Sequence, residues 1–360
     1  MSLPGRLTID LEALCDNWRR LAREAAPAAC AAVVKANAYG VGAAEAAPAL
    51  YRAGARVFFV AHLSEGAQVR AALGPGPRIF SLNGFEAGAE VADYAAAEVA
   101  PVIGGGGELA RWDRTRPFAL HVDTGMNRLG LPHAEWEGAK GSGPALLMSH
   151  FVSSEAPEEA INARQIAAFA KARALFPGVP ASLANSSGVF LASRPHYELV
   201  RPGYALYGGN PTPGRENPMR PVVTLEVAVQ QTRWIEPGET CGYNARWTAK
   251  RRTRLATLAA GYADGLPLGA GGTDAAPGAE VRIAGRMCPL VGRVSMDLCI
   301  ADVTYLPDAA VGPGARAEFF GANAALDSFA AKAGTIGYNL LTALGPRYER
   351  VFRSDRTGRG

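Results

Sequence analysis

The sequence has no stretch that approaches the ~20 uninterrupted apolar residues of a membrane-spanning helix. Its first residues, MSLPGRLTIDLEAL, also lack the basic segment and the apolar core of a secretory signal peptide. Both absences argue against a membrane protein and against an exported one. We therefore expect a cytoplasmic protein without a membrane partner.

Neither sign of charge dominates, and cysteine is scarce. The chain has 37 Lys and Arg residues against 33 Asp and Glu residues, a net charge of +4, with no long run of like charge. Nucleic acid is therefore not expected as a partner. Five cysteines, an odd number at wide spacings, match neither a disulfide framework nor a zinc site. We predict no metal, and reduced, mostly buried thiols at Cys15, Cys30, Cys241, Cys288 and Cys299.

What the chain does contain is a repeated unit over residues 11–210. Short apolar runs typical of strands alternate with alanine-rich segments of helical composition, such as 65–72 and 160–175. Eight strands alternating with helices predict an α/β fold, a (β/α)8 barrel. An open doubly wound sheet is the alternative, but the glycines at 104–107 lack the spacing of a dinucleotide-binding fingerprint. The predicted strands are 30–35, 57–61, 78–82, 98–102, 118–122, 145–150, 182–185 and 203–207.

A smaller, mostly antiparallel β domain is predicted for residues 222–353. Proline and glycine are too dense just before it for a regular element, so we predict a linker at 211–221. Val223, Leu225, Val227 and Val229 then alternate with more polar residues, as in a half-buried strand. One helical segment is predicted at 325–333, and 354–360 is predicted to be a flexible tail. The remaining strands are predicted at 254–260, 280–284, 289–293, 298–304 and 316–320.

Lys35 stands at the end of an apolar run, 31–34, whose lack of alternation indicates a strand buried on both faces. An ammonium group beside buried apolar residues loses hydration, which lowers the pKa of the amine towards useful nucleophilicity. The position therefore suggests Schiff-base chemistry. The alternative, from strand context alone, is a lysine whose stem covers apolar surface while its ammonium group reaches water.

The segment from Lys35 to Gly42, KANAYGVG, resembles the pyridoxal-phosphate lysine motif of the alanine racemase family. The resemblance implies that Lys35 carries pyridoxal 5'-phosphate and that Tyr39 contacts its phosphate. Val41 replaces the histidine that usually stands between the last two glycines. The resemblance also implies that a first strand within residues 1–10, from Leu7 to Ile9, joins the β domain.

Further motifs of the family follow the predicted barrel strands, whose carboxyl ends carry the active site in barrel enzymes. By resemblance, Arg128 in DTGMNRLG contacts the phenolic oxygen of the cofactor and orients the substrate carboxylate, and His150 lies beside the pyridine ring. Arg201 is expected to hydrogen-bond the pyridine nitrogen, which makes the ring a weaker electron sink and favours simple return of the proton. The phosphate is expected to contact Tyr39, Asn185, Ser186, Gly203, Tyr204 and Tyr338.

The β domain carries the motifs that the resemblance assigns to the second base and to the substrate. Tyr243, in CGYNA, is expected to be a catalytic base together with Lys35, because racemisation needs bases on opposite faces of a planar intermediate. In the family this tyrosine comes from the other subunit, which implies a homodimer with a shared active site. Substrate binding is expected from Arg128 and, on the partner chain, from Tyr262, Met296 and Asp297.

Two further positions depart from the family. His121 stands where many members have a lysine, often carbamylated, that holds the arginine matching Arg128. Ser182 stands where a histidine usually supports the arginine matching Arg201. We predict that His121 is neutral, accepts a hydrogen bond from Arg128 and has its pKa lowered by that charge. A chloride ion or a neighbouring carboxylate is the alternative support for Arg128.

These observations predict a homodimeric, pyridoxal-phosphate-dependent amino-acid racemase that interconverts L- and D-alanine and supplies D-alanine for peptidoglycan. A racemase of the same fold with broader specificity, or one for serine, is the nearest alternative. A non-catalytic pyridoxal-phosphate binding protein is a second alternative, against which Tyr243 and the whole β domain argue. A third is a decarboxylase of the same fold, which the lysine motif and the RPG segment at 201–203 fit less well.

Overall fold

The structure, a computed structural model, describes residues 5–354. The described chain divides into two compact units: Ala13–Arg220 forms one, and residues 5–12 and 221–354 form the other. The predicted tail lies outside the described residues except for Ser354. The linker predicted at 211–221 stays a prediction. The first strand, β1 (Gly5–Asp10), belongs to the second unit.

The unit Ala13–Arg220 is a (β/α)8 barrel. Its strands are β2 (Ala29–Cys30), β3 (Ala32–Val33), β4 (Val57–Val60), β5 (Arg78–Ser81), β6 (Ala100–Ile103), β7 (Ala119–His121), β8 (Leu146–Met148), β9 (Ala181–Ser182) and β10 (Leu199–Val200). The strands β3 to β9 form one parallel sheet in chain order, and β10 pairs in parallel with β2. The amide of Ala31 donates to the Val200 carbonyl at 2.9 Å, and the amide of Arg201 donates to the Ala184 carbonyl at 2.9 Å. These bonds on both sides of β10 close the barrel.

The prediction of the eighth strand at 203–207 is wrong. The strand there is β10, and Tyr204–Tyr207 forms a 3-10 helix. All four residues of that helix are buried, and a short apolar run buried on every side has the same sequence pattern in a strand and in a helix. The first barrel strand also ends earlier than predicted, at Val33, so Lys35 lies beyond the strand.

Helices connect the barrel strands. The apolar face of the first helix is buried, since Leu11, Leu14, Trp18 and Leu21 are at most 9% exposed. The helices are α1 (Leu11–Ala25), α3 (Ala43–Ala53), α4 (Leu63–Leu73), α5 (Val91–Ala97), α6 (Gly106–Arg111) and α7 (Ala160–Ala174), and the short element α2 (Lys35–Tyr39) between β3 and α3 is a left-handed turn. Further 3-10 helices are His133–Glu135, Glu137–Ala139 and Ser187–Phe190.

The second unit is mainly antiparallel β structure. Its strands are β11 (Val223–Ile235), β12 (Thr240–Cys241), β13 (Trp247–Thr248), β14 (Thr253–Leu258), β15 (Glu280–Ile283), β16 (Arg286–Pro289), β17 (Cys299–Asp302), β18 (Arg316–Phe320) and β19 (Tyr348–Arg353). Its helices are α8 (Leu326–Lys332) and α9 (Gly337–Ala343), with 3-10 helices at Tyr243–Ala245, Tyr262–Asp264, Leu268–Ala270 and Asp308–Ala310.

The main sheet of this unit has the order β16-β15-β18-β11-β1-β19, and β14 pairs with both β11 and β17. β1 runs antiparallel to β11 and parallel to β19, so the first and last described strands are neighbours. The alternating residues Val223, Leu225, Val227 and Val229 are all buried, as the sequence predicts. α9 and β19 are elements that the sequence pattern did not indicate.

The cysteines are free thiols, and all except the half-buried Cys15 are buried, as predicted. No group of side chains among residues 5–354 is arranged to hold a metal ion. Within the same range, none of the helices combines the length and the apolar character needed to cross a membrane.

Candidate active site

Lys35 lies just beyond β3, at the carboxyl ends of the barrel strands. The amide of Val34 donates to the Phe59 carbonyl at 2.8 Å, so strand pairing extends to the residue before the lysine. Burial lowers the pKa of Lys35 and the charge of Arg128 lowers it further, while Glu65 opposes them. Because a lowered pKa leaves more of the amine neutral, this environment favours attack on a carbonyl carbon.

The residues after Lys35 have an unusual backbone. Ala36, Asn37 and Ala38 have φ of 53° and Tyr39 has φ of 54°, in the left-handed region that residues other than glycine rarely enter. Each such residue costs roughly 1–2 kcal/mol, so other contacts must hold the turn in this conformation.

Three contacts hold this left-handed turn. The amide of Ala36 donates to Glu65 Oε1 at 2.7 Å, and the amide of Ala43 donates to Asn37 Oδ1 at 2.8 Å. The Tyr39 ring stacks on Tyr207 with 4.7 Å between ring centroids. Sequence reasoning missed Glu65. Its only signal is a glutamate three residues after a helix N-cap, a pattern that indicates capping alone.

A small polar cradle forms where Tyr39 meets the loop after β10. A Cβ atom at Gly203 would lie 2.2 Å from the Tyr39 hydroxyl, so only glycine fits this close approach. Ser186 Oγ accepts hydrogen bonds from the amides of Gly203 at 3.0 Å and Ala205 at 3.2 Å. Tyr204, next in the chain, is buried. Hydroxyls and amides gathered in this way suit a phosphate group.

Asn185 adjoins this cradle, but its side-chain oxygen is already engaged. Asn185 Oδ1 accepts from Ser154 Oγ at 2.8 Å and from the amide of Gly188 at 2.9 Å. The side chain therefore stabilises the start of the Ser187–Phe190 helix, and this contact also orients the neighbouring Ser186.

Arg201 is buried below the mouth of the barrel. Its Nη1 donates to Ser182 Oγ and its Nη2 donates to the Ser149 carbonyl, each at 2.5 Å. Ser182 Oγ in turn donates to the Leu199 carbonyl. Burial lowers the pKa of Arg201 to about 9, which still leaves the guanidinium charged at neutral pH. Ser182 thus supports Arg201 in this chain.

Two histidines share the environment of Arg201. Burial lowers the pKa of His121 to about 4, with a further contribution from Arg201 and a smaller one from Arg128, opposed by Asp123. Burial, and then Arg201, hold the pKa of His150 well below its usual value. Both imidazoles are therefore neutral at neutral pH.

The structure corrects one detail of the prediction for His121. The described residues show no hydrogen bond between His121 and Arg128, and Arg201 affects the pKa of His121 more than Arg128 does. The reason is geometric: the His121 side chain is buried at the end of β7, whereas Arg128 is exposed in the loop that follows.

The loop that carries Arg128 is shaped by the carboxylate of Asp123. Asp123 accepts hydrogen bonds from the amides of Gly125, Met126 and Asn127 at 2.9 to 3.0 Å. Within residues 5–354, the Arg128 guanidinium has no hydrogen bond or ion pair. It is therefore free to bind an anionic group such as a carboxylate.

In the second unit, Tyr243 begins a 3-10 helix that is separated from β12 by Gly242 alone. Its side chain is 69% exposed. It borders a cavity of about 640 Å³ whose lining includes Gln231, Thr257, Arg293 and Ser295. The phenol is therefore open to a ligand or to another chain.

Tyr262 and Met296 are brought together by their backbones. The amide of Tyr262 donates to the Ser295 carbonyl and that of Ala263 to the Met296 carbonyl, both at 3.0 Å. The side chains of Tyr262 and Met296 are 43% and 53% exposed. The two residues thus form one exposed surface.

Asp297 has a partner that sequence reasoning missed. Arg347 donates from Nη1 to Asp297 and from Nε to Asp264, both at 2.7 Å. Tyr338 lies in α9 and is 41% exposed. It belongs to a different unit from Tyr39, so their joint contact with a phosphate stays a prediction.

Two family models match this chain. Residues 9–211 match the alanine racemase N-terminal domain, and residues 222–352 match the alanine racemase C-terminal domain. The chain is 55% identical over 361 residues to an alanine racemase of Methylobacterium nodulans, with 97% of this chain and 96% of the relative covered. It is 44% identical over 360 residues to a catabolic alanine racemase of Mesorhizobium japonicum, with 96% and 92% covered.

A solved structure is similar as well. The crystal structure of alanine racemase from Bartonella henselae, with covalently bound pyridoxal phosphate, has a TM-score of 0.90 and 37% sequence identity. The match covers 97% of this chain and 99% of that one.

Proposed function

The chain belongs to the alanine racemase family of pyridoxal-phosphate-dependent isomerases, and on that basis we propose a two-base mechanism in which Lys35 and Tyr243 move the Cα proton of alanine. The observation that carries the proposal is the position of Lys35. This lysine has a lowered pKa, lies just beyond the barrel strand β3 and is joined by one left-handed turn to the cradle of Tyr39, Ser186 and Gly203.

The residues present fit pyridoxal phosphate. Lys35 would supply an amine for the aldehyde carbon, and Tyr39, Ser186 and Tyr204 would supply polar groups for the phosphate. Gly203 would complete this cradle by leaving room for the Tyr39 hydroxyl. Arg201 supplies a buried donor for the ring nitrogen. When bound, the cofactor withdraws electron density from the substrate Cα and so acidifies its proton.

The side chains of the chain then do the proton transfers. For D-alanine, the neutral Lys35 amine takes the Cα proton on one face and the Tyr243 hydroxyl gives a proton to the opposite face. For L-alanine the direction is reversed: Tyr243, which has lost its proton, takes the Cα proton, and the protonated Lys35 gives one to the opposite face. Each group must come within about 3 Å of the proton it moves, and no single side chain can reach both faces.

Arg128 is proposed to orient the substrate. Its exposed guanidinium, unpaired within residues 5–354, can bind the alanine carboxylate through two parallel hydrogen bonds. We propose that Tyr262, Met296 and Asp297 of the other subunit complete the substrate-binding site, with Asp297 held in place by Arg347. A tyrosine at the entrance of the site, as the resemblance implies for Tyr262, would favour a small side chain such as the methyl group of alanine.

We propose a homodimer in which Tyr243 serves the Lys35 of the other subunit. The support is that Tyr243 is 69% exposed beside an open cavity of about 640 Å³, as expected for a residue that acts on a second copy of the chain. The proposed setting is the cytoplasm.

The proposed role is the supply of D-alanine for peptidoglycan. A catabolic role is the rival, because the Mesorhizobium japonicum relative is named a catabolic alanine racemase. Deleting the gene separates the two. A biosynthetic enzyme leaves cells dependent on added D-alanine, whereas a catabolic one leaves cells that grow without it but fail to use alanine as a carbon source.

Chiral analysis of products from a panel of L-amino acids tests the activity. Alanine should give a racemic mixture, and bulky substrates should give none. If serine is converted at a rate close to that of alanine, the protein is a racemase of broader specificity and not one specific for alanine. A protein that binds the cofactor and racemises no amino acid would contradict the proposal.

A further inference from the structure

Glu65 connects two neighbouring barrel strands through the two oxygens of one carboxylate. It lies in the first turn of α4, where Oε2 accepts from the amide of Ala61 at 2.7 Å and, at 3.4 Å, from that of His62. Oε1 accepts from the amide of Ala36 at 2.7 Å. Ala61 directly follows β4, and Ala36 directly follows Lys35.

Helix capping alone accounts for only half of this arrangement. Glu108 occupies the corresponding position in α6, where Oε2 accepts from the amide of Gly104, directly after β6, at 2.9 Å. Glu108 therefore caps its own strand-to-helix turn. Glu65 does the same through Oε2, and its second oxygen adds a bond to the turn of the adjacent strand.

The hydrogen bond to Glu65 Oε1 lies where it can control the orientation of Lys35. The amide it accepts belongs to the peptide that joins Lys35 to Ala36, the first of the left-handed residues that end with Tyr39. A fixed peptide at this point sets both the direction of the Lys35 side chain and the start of the turn. Without that bond, the strained residues can relax towards the right-handed or extended regions.

The carboxylate also carries charge beside Lys35. The charges that act on Lys35 are those of Arg128, which lowers its pKa, and Glu65, which raises it. His150, the other titratable group coupled to Lys35, is held neutral by burial and by Arg201. Glu65 is therefore the one anionic group, among the residues the structure describes, that opposes the loss of the lysine's positive charge.

We propose that Glu65 is the positioning residue for Lys35, holding the left-handed turn so that the amine and the Tyr39 hydroxyl keep a fixed relation. This inference rests on the proposed role of Lys35. Glu65 itself touches neither substrate nor cofactor in this account, because both of its oxygens are used by backbone amides.

Glu65→Gln in the holoenzyme tests the proposal, with Glu108→Gln as the matched control. A carboxamide has one oxygen, so the substituted side chain cannot accept from Ala36 and Ala61 together. We expect kcat to fall on the order of 10- to 100-fold with a smaller change in KM, because misplacement by about 1 Å has that effect. We also expect the pH midpoint of the cofactor absorption band to move to lower pH. Glu108→Gln should change neither quantity.

Recovery of activity on substitution by glycine distinguishes a loss of Lys35 positioning from general damage to the fold. A glycine at position 36 adopts the left-handed backbone without strain. Adding Ala36→Gly to Glu65→Gln should therefore raise kcat several-fold above that of Glu65→Gln alone. If Glu65→Gln does not fold, Glu65→Asp, which keeps the charge but has a shorter reach, takes its place in the same measurements.

Two results would overturn the proposal. One is a Glu65 variant that matches Glu108→Gln in kcat and in the pH midpoint of the absorption band. The other is a loss of kcat that Ala36→Gly does not reduce. Failure of the proposed function is a separate outcome, since in that case the wild-type holoenzyme and Glu108→Gln would also lack racemase activity.

Discussion

A Cβ atom at Gly203 would lie 2.2 Å from the Tyr39 hydroxyl. The two residues are far apart in the chain, and the left-handed turn after Lys35 and the loop after β10 bring them together. Gly203 has a φ of −123°, which any residue can adopt, so the requirement for glycine here is one of space. This close approach makes the cradle sensitive to a single methyl group.

Gly203→Ala should displace Tyr39 and weaken cofactor binding about tenfold or more, because the added methyl group cannot fit beside the hydroxyl. The dissociation constant of pyridoxal phosphate, measured by titrating the apoenzyme, checks this. Gly107→Ala is the control, since a Cβ atom there has nothing within 4 Å. Equal affinities for the two variants would show that Gly203 is not part of the cradle.

Ser182→Ala should destabilise the protein by about 1.5–3 kcal/mol, because buried Arg201 loses a hydrogen-bond acceptor for its charged guanidinium. The free energy of unfolding in urea is the measurement. Ser142→Ala is the matched control, since Ser142 Oγ is buried and has no hydrogen-bond partner within residues 5–354. The control should be neutral or slightly stabilising. A similar loss of unfolding free energy in both variants would show that Ser182 does not support Arg201.

His121→Gln should make stability less dependent on pH between 4 and 6.5. The pKa of His121 is about 4 in the folded protein, against an ordinary value of 6.5. In this window the unfolded chain binds a proton that the folded protein does not, so the stability of the wild type falls as pH decreases. The difference amounts to at most about 3 kcal/mol.

Thermal melting from pH 4 to 7 tests the His121 prediction. The variant should show a shallower fall in melting temperature than the wild type, although His150 keeps part of the dependence in both. Parallel curves would mean that His121 is not the group that titrates.

Much of the barrel could be predicted from the sequence, because buried parallel strands leave unalternating apolar runs separated by helical segments. The eighth strand could not, since Leu199–Val200 is only two residues long and the longer run Tyr204–Tyr207 close to it is a 3-10 helix. β19 was missed for a different reason. Its sequence, YERVFR, has three charged residues and no alternation, and it pairs with β1, which is more than 300 residues away in the chain.

The residues of the candidate site also fall into two groups, those that sequence motifs reveal and those that only the structure reveals. Lys35, Tyr39 and Gly203 lie in short motifs that the sequence displays directly. Glu65 and Arg347 do not, because their importance depends on contacts across the fold. Glu65 shows only the pattern of a helix cap until β3 and β4 are known to be neighbours. Arg347 contacts Asp264 and Asp297, which are 83 and 50 positions away.

Mixing two inactive variants should restore activity if the site is shared between subunits. Lys35→Ala dimers and Tyr243→Phe dimers each lack one base, but subunit exchange creates a mixed dimer with one complete site. Up to about a quarter of wild-type activity is expected for random exchange, since half of the dimers are then mixed and each has one of two sites intact. No recovery, with exchange shown independently by mass spectrometry, would mean that Tyr243 acts within its own subunit.

Exchange of the alanine Cα proton with deuterium in Tyr243→Phe tests the two-base account most directly. The reaction is run in D2O with each pure enantiomer and followed by proton NMR. The account predicts that exchange from L-alanine, which depends on Tyr243, falls by two orders of magnitude or more, whereas exchange from D-alanine through Lys35 falls much less. Equal losses for the two enantiomers would contradict the assignment of Lys35 and Tyr243 to opposite faces.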